Sequence, residues 1–338
     1  MIAAKAKAKA LMVARRYVEA AAAWKEVAAL AAPVTVTAPV TVTAPVTVTA
    51  PIEYFFMKSS KADNDAANGI RERYLEGLLG LTGLVDPREV ALQSAWRTVL
   101  HRLCPVAYAT MRLQRKGGRG ANYDFLCQFL AEDGATVVAS VPVEFKYGAT
   151  QIAGLPQFLS LAEKDLPFPV TYAEHYYDRY LAAYVAADAA GLGAVALPDR
   201  ATYCQRVYSD NYDSHPFFRA AKNTEETAKA AKAAIVNASI RSFLEEYGAA
   251  CDLAHLSGLL RTKQEGKVFV MWDGVGAFHV ERLSAADLTV TEVLGVRNGN
   301  CLEVRAGGTG RVFRLLLRWK NHKGVMYPAW QISMARTA

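Results

Sequence analysis

Three side chains have the types and the spacing to perform chemistry: Asp124, Glu144 and Lys146. Glu144 and Lys146 are two residues apart in a segment typical of a strand, so both point to one face of that strand. Val143 and Phe145 point to the other face. A carboxylate and an ammonium group together at the end of an otherwise apolar strand, with a second carboxylate near the start of the preceding strand, predict a hydrolytic metal site.

Two strands must position these residues. The alternation of apolar residues predicts one strand over 123–130 and the next over 137–146. Asp133-Gly134, between them, is a strong signal for a hairpin turn. Proline has no N–H to donate to a neighbouring strand. Pro142 therefore predicts a bulge or a sheet edge in the second strand.

Asp124, nineteen intervening residues and then Glu144-Phe145-Lys146 resemble the D…(D/E)xK signature of the PD-(D/E)XK nuclease superfamily. Tyr123 stands where the signature has proline, a position at which many members also depart. Gln157 resembles the glutamine that some branches carry on the helix after the lysine. The resemblance covers roughly 68–164, under a third of the chain. It implies a restriction-endonuclease-like α/β (α+β) core, with a mixed central sheet flanked by helices.

The resemblance also implies roles for the motif residues. Mg²⁺, for which Mn²⁺ can substitute, would be bound by Asp124, Glu144 and the backbone carbonyl of Phe145, and oxygen ligands suit this ion. Lys146 would orient or help deprotonate the attacking water and offset charge at the phosphate. The alternative is a strand-end aspartate beside an ordinary surface Glu–Lys pair.

Flanking helices would complete the site. In many members of the superfamily a helix before the strands adds a carboxylate, and Glu72 is the candidate here, on a helix predicted over 66–81. Gln157 lies on a helix predicted over 152–162. Glu72 and Glu76 could equally pair with nearby arginines on the helix surface. A second helix over 87–103 and a strand over 106–113 give the order of elements expected for the superfamily core.

Arg115, Lys116 and Arg119 belong to a glycine-rich segment just before Asp124. Glycines let a backbone approach a phosphate closely, and cations beside them suit a nucleic-acid backbone. No Gly-Lys-Ser/Thr sequence follows, so the segment is not a Walker loop. The alternative is a plain flexible hairpin tip.

The basic excess of the chain is concentrated at its C-terminal end. The net charge is +7, and from residue 295 onward eight basic residues accompany one acid. Such a concentration predicts a polyanion partner, here DNA. The alternative is a solvated strand face, because the cations do not alternate strictly along 311–320. The expected nucleic-acid contacts in this region are Arg311, Arg314, Arg318, Lys320 and Lys323.

Composition divides the chain into five segments. An alanine- and lysine-rich helix is predicted over 1–31, and a linker of Ala-Pro-Val-Thr-Val-Thr repeats over 32–51, because proline at every sixth position blocks helices and central strands. The nuclease-like core is predicted over 52–167, a helical accessory lobe over 168–265 and a basic β-rich part over 266–338. The strands of this last part, predicted over 268–272, 277–280, 301–304, 312–320 and 330–334, either extend the nuclease sheet or form a separate module.

Other features exclude several classes of protein. No apolar run is long enough to span a membrane, and the charged, interrupted start of the sequence leads us to expect no secretory signal. The five cysteines are scattered and never form a CxxC pair, which favours an intracellular protein of the cytoplasm or nucleus. GxSxG and HExxH motifs are absent, and the six histidines do not cluster in sequence. A Cys–His pair that forms only in space is left open.

These observations favour a Mg²⁺-dependent DNA endonuclease, with double-stranded DNA as the expected substrate by analogy with the fold. One alternative is a non-catalytic nucleic-acid-binding protein, in which the basic tail binds and the motif residues are incidental. Another is an exonuclease or repair nuclease of the same superfamily. The sequence leaves the target and the oligomeric state open, with a homodimer among the options.

Overall fold

The computed structural model of the chain describes residues 40–42, 52–56, 64–116, 121–209, 215–223, 228–320 and 326–335. The N-terminal helix predicted over 1–31, Arg119 and Lys323 lie outside these residues. The strands, numbered along the chain, are β1 (Val40–Val42), β2 (Thr110–Arg115), β3 (Phe125–Leu130), β4 (Val137–Tyr147), β5 (Leu159–Ala162), β6 (Val268–Trp272), β7 (Phe278–Arg282), β8 (Val290–Arg297), β9 (Cys301–Ala306), β10 (Val312–Trp319) and β11 (Pro328–Met334). The α-helices are α1 (Ile52–Phe56), α2 (Asn64–Leu78), α3 (Pro87–His101), α4 (Tyr172–Arg179), α5 (Leu181–Ala187), α6 (Ala189–Leu192), α7 (Arg200–Arg206), α8 (Pro216–Asn223), α9 (Lys229–Tyr247) and α10 (Leu253–Gln264).

The chain divides into two units. Unit 1 comprises Met1–Gln151 and Gly266–Arg282, and unit 2 comprises Ile152–Glu265 and Leu283–Ala338. This division differs from the predicted segments, because the part after residue 265 is shared between the units. Strands β6 and β7 extend the sheet of the motif strands, whereas β8 to β11 belong to the sheet of unit 2.

Unit 1 contains a six-stranded mixed sheet in the order β1-β2-β3-β4-β6-β7. Strands β2, β3 and β4 form an antiparallel meander, and β6 lies parallel to β4. Antiparallel neighbours can follow one another through a short turn, but a parallel neighbour requires a long connection. Residues 152–265 of unit 2 provide that connection, so β6 returns beside the motif strand more than a hundred residues later.

The predicted hairpin between β3 and β4 is confirmed. Asp133 closes the turn, since its Oδ1 accepts hydrogen bonds from the backbone N–H groups of Ala135 and Thr136 at 2.9 and 2.8 Å. Gly134 has φ +66°, a left-handed conformation that glycine adopts readily. Pro142 pairs with Leu126 of β3, and the pairing of β4 with β6 begins only at the next residue. The missing N–H therefore falls where β4 has no ladder partner on its other side.

One face of this sheet carries the core of unit 1. Side chains alternate along β4, so Val141, Val143 and Phe145 are buried against α2 and α3 while the residues between them face the other way. Helix α3 begins at Pro87, with the Asp86 side chain accepting a hydrogen bond from the Arg88 N–H as the N-cap. Its apolar stripe includes Trp96, whose Nε1 donates to the Leu75 carbonyl of α2 at 3.2 Å. The two predicted helices are thus confirmed and tied together.

The structure describes three residues of the linker predicted over 32–51. Val40–Val42 forms the edge strand β1, parallel to β2. Five residues without proline separate two prolines there, and valine and threonine favour strands. An edge strand tolerates flanking prolines because only one of its sides is paired. The remaining residues of 32–51 lie outside the described residues.

Unit 2 contains an antiparallel five-stranded sheet in the order β5-β11-β10-β9-β8, accompanied by helices α4 to α10. Tyr172, Tyr176 and Tyr184 are fully buried, so these three tyrosines pack inside this unit. Tyr172 accepts a hydrogen bond from Trp319 Nε1 at 3.1 Å, which ties α4 to β10. Together the described residues form a mixed α and β protein with two sheets flanked by helices.

The helix predicted over 152–162 is wrong. Turns occupy its first part, and Leu159–Ala162 forms the edge strand β5 beside β11. Gly154, with φ +92°, and Pro156 interrupt any helix there. Leu159 and Leu161 are buried with one residue between them, which is the period of a strand.

Among the described helices, none combines the length and the apolar character that crossing a membrane requires.

Candidate active site

Asp124 is fixed at the entrance of β3 by backbone hydrogen bonds on both sides. Its N–H donates to the Val143 carbonyl at 3.0 Å, and its carbonyl accepts from the Lys116 N–H at 2.7 Å. The side chain is held as well, because Oδ2 accepts from the Phe145 N–H at 2.8 Å. Asp124 therefore lies beside β4, at the level of the Glu144-Phe145-Lys146 segment.

Glu144 and Lys146 share the face of β4 opposite the core, as the alternation predicts. Lys146 Nζ lies 2.5 Å from Glu144 Oε1. The side chains are 12% exposed for Glu144 and 27% for Lys146. The pair is thus largely withdrawn from solvent, unlike an ordinary surface ion pair, where high dielectric screening leaves little interaction.

Lys267 is a site residue that the sequence did not identify. It immediately precedes β6, and its Nζ lies 3.3 Å from Glu144 Oε2 and donates a hydrogen bond to the Asn122 carbonyl. Its side chain is only 4% exposed. A lysine before an apolar strand is a weak local signal, because the same pattern is typical of a solvated strand end. Only the parallel pairing of β4 with β6 brings Lys267 to the motif.

Glu72 of α2 interacts with the same group of charges. Burial, and then the negative charge of Asp124, raise the pKa of Glu72 to about 7. Arg115 Nη1, at the end of β2, lies 3.7 Å from Glu72 Oε2, so the arginine that pairs with Glu72 comes from a strand and not from the surface of its own helix. Glu76 makes a structural contact instead: its Oε1 accepts a hydrogen bond from the backbone N–H of Arg115 at 2.8 Å. It joins α2 to the end of β2.

The charges of the site shift one another's proton affinities. Burial and the nearby Glu144 raise the pKa of Asp124 to about 6, against the opposing effect of Lys146 and the Phe145 N–H. Burial would lower the pKa of Lys146, but Glu144 and Asp124 outweigh it and raise that pKa. Burial lowers the pKa of Lys267 in spite of Glu144. Perturbed groups gathered in this way are typical of functional sites.

The donor set suits a hard cation, because Asp124, Glu144 and Glu72 offer carboxylate oxygens without histidine or cysteine. In the part of the chain that the structure describes, no three Asp, Glu, His or Cys side chains are grouped so that they could hold an ion. Both oxygens of Glu144 contact lysines instead. A ligand role for the Phe145 carbonyl stays a prediction, whereas its N–H has a defined partner in Asp124.

Gln157 belongs to unit 2, whereas the group of charges belongs to unit 1. It is exposed in the turn segment before β5, in unit 2, and the helix that was to carry it is absent. The role predicted for Gln157 stays a prediction, without the helix on which it was placed. Its neighbour Pro156 accepts a hydrogen bond through its carbonyl from Gln331 of β11, so the segment is tied to the sheet of unit 2.

The basic residues separate into two sets. Arg115 ends β2, and Lys116 follows it and donates its N–H to the Asp124 carbonyl. The cations of the C-terminal region lie in unit 2, and several are paired: Arg311 with Asp287 at 2.7 Å, Arg314 with Glu303 at 2.9 Å, Arg297 with Glu303 at 3.1 Å, and Arg305 with Glu292 at 2.9 Å. Arg318 donates to Gln331 at 2.9 Å, and Lys320 lies over the Tyr327 ring at 5.0 Å. Acids from before residue 295 thus offset part of the basic excess.

Arg314 and Arg318 nevertheless share one face of β10. Side chains alternate along this strand, and Leu315 and Leu317 are buried on the opposite face. Arg318 is exposed on that face. The alternation that could not be read along 311–320 is therefore present from Val312 onward.

Comparisons with protein-family models, with curated proteins and with solved structures find no match. The resemblance to the PD-(D/E)XK superfamily accordingly depends on the motif residues and on the contacts that surround them.

Proposed function

We propose that the protein is a Mg²⁺-dependent DNA endonuclease and that unit 1 is a restriction-endonuclease-like core. The observation that carries this proposal is the convergence of Asp124, Glu144 and Lys146 with Glu72 in one partly buried group of interacting charges. The residues come from a helix and two strands that are separated in sequence. If the motif match were incidental, there would be no reason for Glu72, from a separate helix, to lie close to the two motif strands.

Asp124, Glu144, Lys146 and Glu72 would have different roles in phosphodiester hydrolysis. A bound Mg²⁺, or Mn²⁺ in its place, would neutralise charge at the phosphate and acidify a water molecule. Asp124 and Glu144 supply carboxylate oxygens that would hold the ion. Because its pKa is raised, Lys146 stays protonated at neutral pH, which favours its role in orienting water and offsetting charge over a role as a base. Glu72, with a pKa of about 7, is suited to accept a proton near neutrality.

Arg115 and Lys116 support the choice of a phosphodiester substrate. They lie at and just after the end of β2, beside Asp124, and the Arg115 side chain remains 33% exposed although it pairs with Glu72. A guanidinium group at this place can contact a phosphate that enters the site. Arg314 and Arg318 form a separate basic face in unit 2, and their contribution to DNA affinity is a second expectation of the same proposal.

The test is nicking of supercoiled plasmid DNA with Mg²⁺ or Mn²⁺ and with excess chelator. The variants are Asp124→Ala and Lys146→Ala, and the matched control is Glu132→Ala, which removes an exposed acid from the β3–β4 turn. We expect wild type and Glu132→Ala to nick the plasmid, and the two site variants to lose nicking while they still bind DNA.

The alternatives give different results in the same assay. An exonuclease of the same superfamily would degrade linear DNA and leave the closed circle intact. A non-catalytic nucleic-acid-binding protein would bind DNA in a salt-sensitive way, since each phosphate contact releases counterions, and none of the variants would differ in cleavage. Nicking that Asp124→Ala and Lys146→Ala retain at the wild-type rate would refute the site.

A further inference from the structure

Glu144 is held by two ammonium groups, one on each of its oxygens. Lys146 contacts Oε1 at 2.5 Å and Lys267 lies 3.3 Å from Oε2. The motif accounts for the first lysine, but it contains no counterpart of the second. Lys267 is also the more buried of the two, with 4% of its side chain exposed against 27% for Lys146.

A buried ammonium group is retained at a site only if its charge is paired and its N–H groups are hydrogen-bonded. Lys267 meets both conditions inside unit 1, through Glu144 and through the carbonyl of Asn122. The Asn122 contact lies two residues before Asp124, so one side chain joins both segments that carry the motif carboxylates. The ring of Phe269 lies 5.9 Å from Nζ. These contacts leave Lys267 little freedom to move away.

We propose that Lys267 is a positioning residue that acts as a built-in counter-cation for Glu144 and thereby limits how tightly the site binds a divalent cation. This inference rests on the metal site of the proposed function and goes beyond the motif. Cations that share one carboxylate repel each other, so an ammonium group fixed at Oε2 weakens the binding of any ion to Glu144. Lys146, which is more exposed, can withdraw from Oε1, whereas Lys267 stays in place.

A purely structural role for Lys267 would change the metal affinity in the opposite direction. If Lys267 only kept Glu144 in the correct orientation, its removal would weaken metal binding, as the loss of an orienting partner generally does. The direction of the change in affinity therefore separates a counter-cation from a purely structural lysine.

The experiment measures Mn²⁺ affinity without DNA, from the signal of free Mn²⁺ in electron paramagnetic resonance. Lys267→Met keeps most of the side-chain volume and removes the charge, and we expect its Mn²⁺ dissociation constant to fall about tenfold or more, the size of change typical of residues next to metal ligands. Lys267→Arg keeps the charge and should stay within a few-fold of wild type. Lys232→Met removes a buried lysine of unit 2, paired with Asp188 at 2.6 Å, and should leave Mn²⁺ affinity unchanged.

Each result supports or overturns the inference. Tighter binding by Lys267→Met than by wild type supports it, including the case in which wild type binds too weakly to detect. Equal or weaker binding by Lys267→Met overturns it, as does equally tightened binding by Lys267→Arg, which would show that charge is not the cause. If wild type binds Mn²⁺ while Lys267→Met binds no better, only this inference fails; if neither binds Mn²⁺, the proposed metal site fails too.

Folding is monitored by circular dichroism. If Lys267→Met does not fold, Lys267→Gln replaces it, because a glutamine amide can still donate to the Asn122 carbonyl while it lacks the charge. The expected result and the refuting result are then the same for Lys267→Gln.

Discussion

Replacing Glu72 by glutamine should stabilise unit 1 at alkaline pH. Burial and the charge of Asp124 raise the pKa of Glu72 from 4.5 to about 7. Between these two values the folded protein holds a proton that the unfolded chain has released, so the free energy of unfolding falls as pH rises from about 4.5 to 7. Above pH 7 the full penalty of the buried charge is present. Glutamine never ionises and avoids that penalty.

The size of the effect follows from the pKa shift. One pKa unit corresponds to about 1.4 kcal/mol, so a shift from 4.5 to about 7 corresponds to about 3 kcal/mol. The Glu72 side chain is 15% exposed, so solvent screening removes little of this. The expected gain of Glu72→Gln over wild type is therefore about 2–3 kcal/mol larger at pH 8.5 than at pH 4.5. For a unit of this size it raises the melting temperature by several degrees.

The assay is thermal unfolding of wild type, Glu72→Gln and Glu76→Gln across pH 4.5 to 8.5. Glu76→Gln is the matched control, because it removes an acid one turn along α2 whose oxygen serves the backbone N–H of Arg115. A gain for Glu72→Gln that is the same at both ends of the pH range, or a loss that grows with pH, would refute the reasoning. A gain independent of pH would mean that glutamine stabilises the helix through its propensity. A loss that grows with pH would mean that the Glu72–Arg115 ion pair is favourable overall.

Three further outcomes are expected. Trp96→Ala should destabilise unit 1 by about 3–5 kcal/mol in denaturant unfolding, because this side chain is fully buried, whereas Val90→Ala on the same helix, 47% exposed, should change stability by about 0.5 kcal/mol or less. Asp86→Ala removes the N-cap of α3 and should cost about 1 kcal/mol, measured in the same way; no measurable loss would contradict the cap. Burial and then Arg179 lower the pKa of His175, so the contribution of this side chain to stability should fall as pH drops below about 6.5, and the stability of His175→Phe relative to wild type should rise from pH 7 to pH 5 in thermal unfolding; a difference between the two proteins that does not change with pH would contradict it.

Local periodicity explains which elements could be predicted. Helices α2 and α3 and strands β3, β4, β6 and β10 follow regular spacings of apolar residues, and the structure places them within a few residues of the predicted bounds. Strand β8 was missed for a physical reason: irregularities at Val290/Glu292 and Val293/Gly295 break the alternation that identifies a strand. Strand β5 was taken for a helix because four residues are too few to establish a period.

The sequence by itself determined that Glu144 and Lys146 share a face, that Asp124 precedes the neighbouring strand, and that a turn joins the two strands, because each of these follows from bonds and angles within a short segment. Only the tertiary structure decided that β6 lies parallel to β4, and hence that Lys267 reaches Glu144. It also decided that Gln157 belongs to unit 2 and that acids earlier in the chain pair with the C-terminal arginines. The physical reason is that such contacts join residues far apart in sequence, and they depend on which strands and helices bury one another, which no short segment encodes.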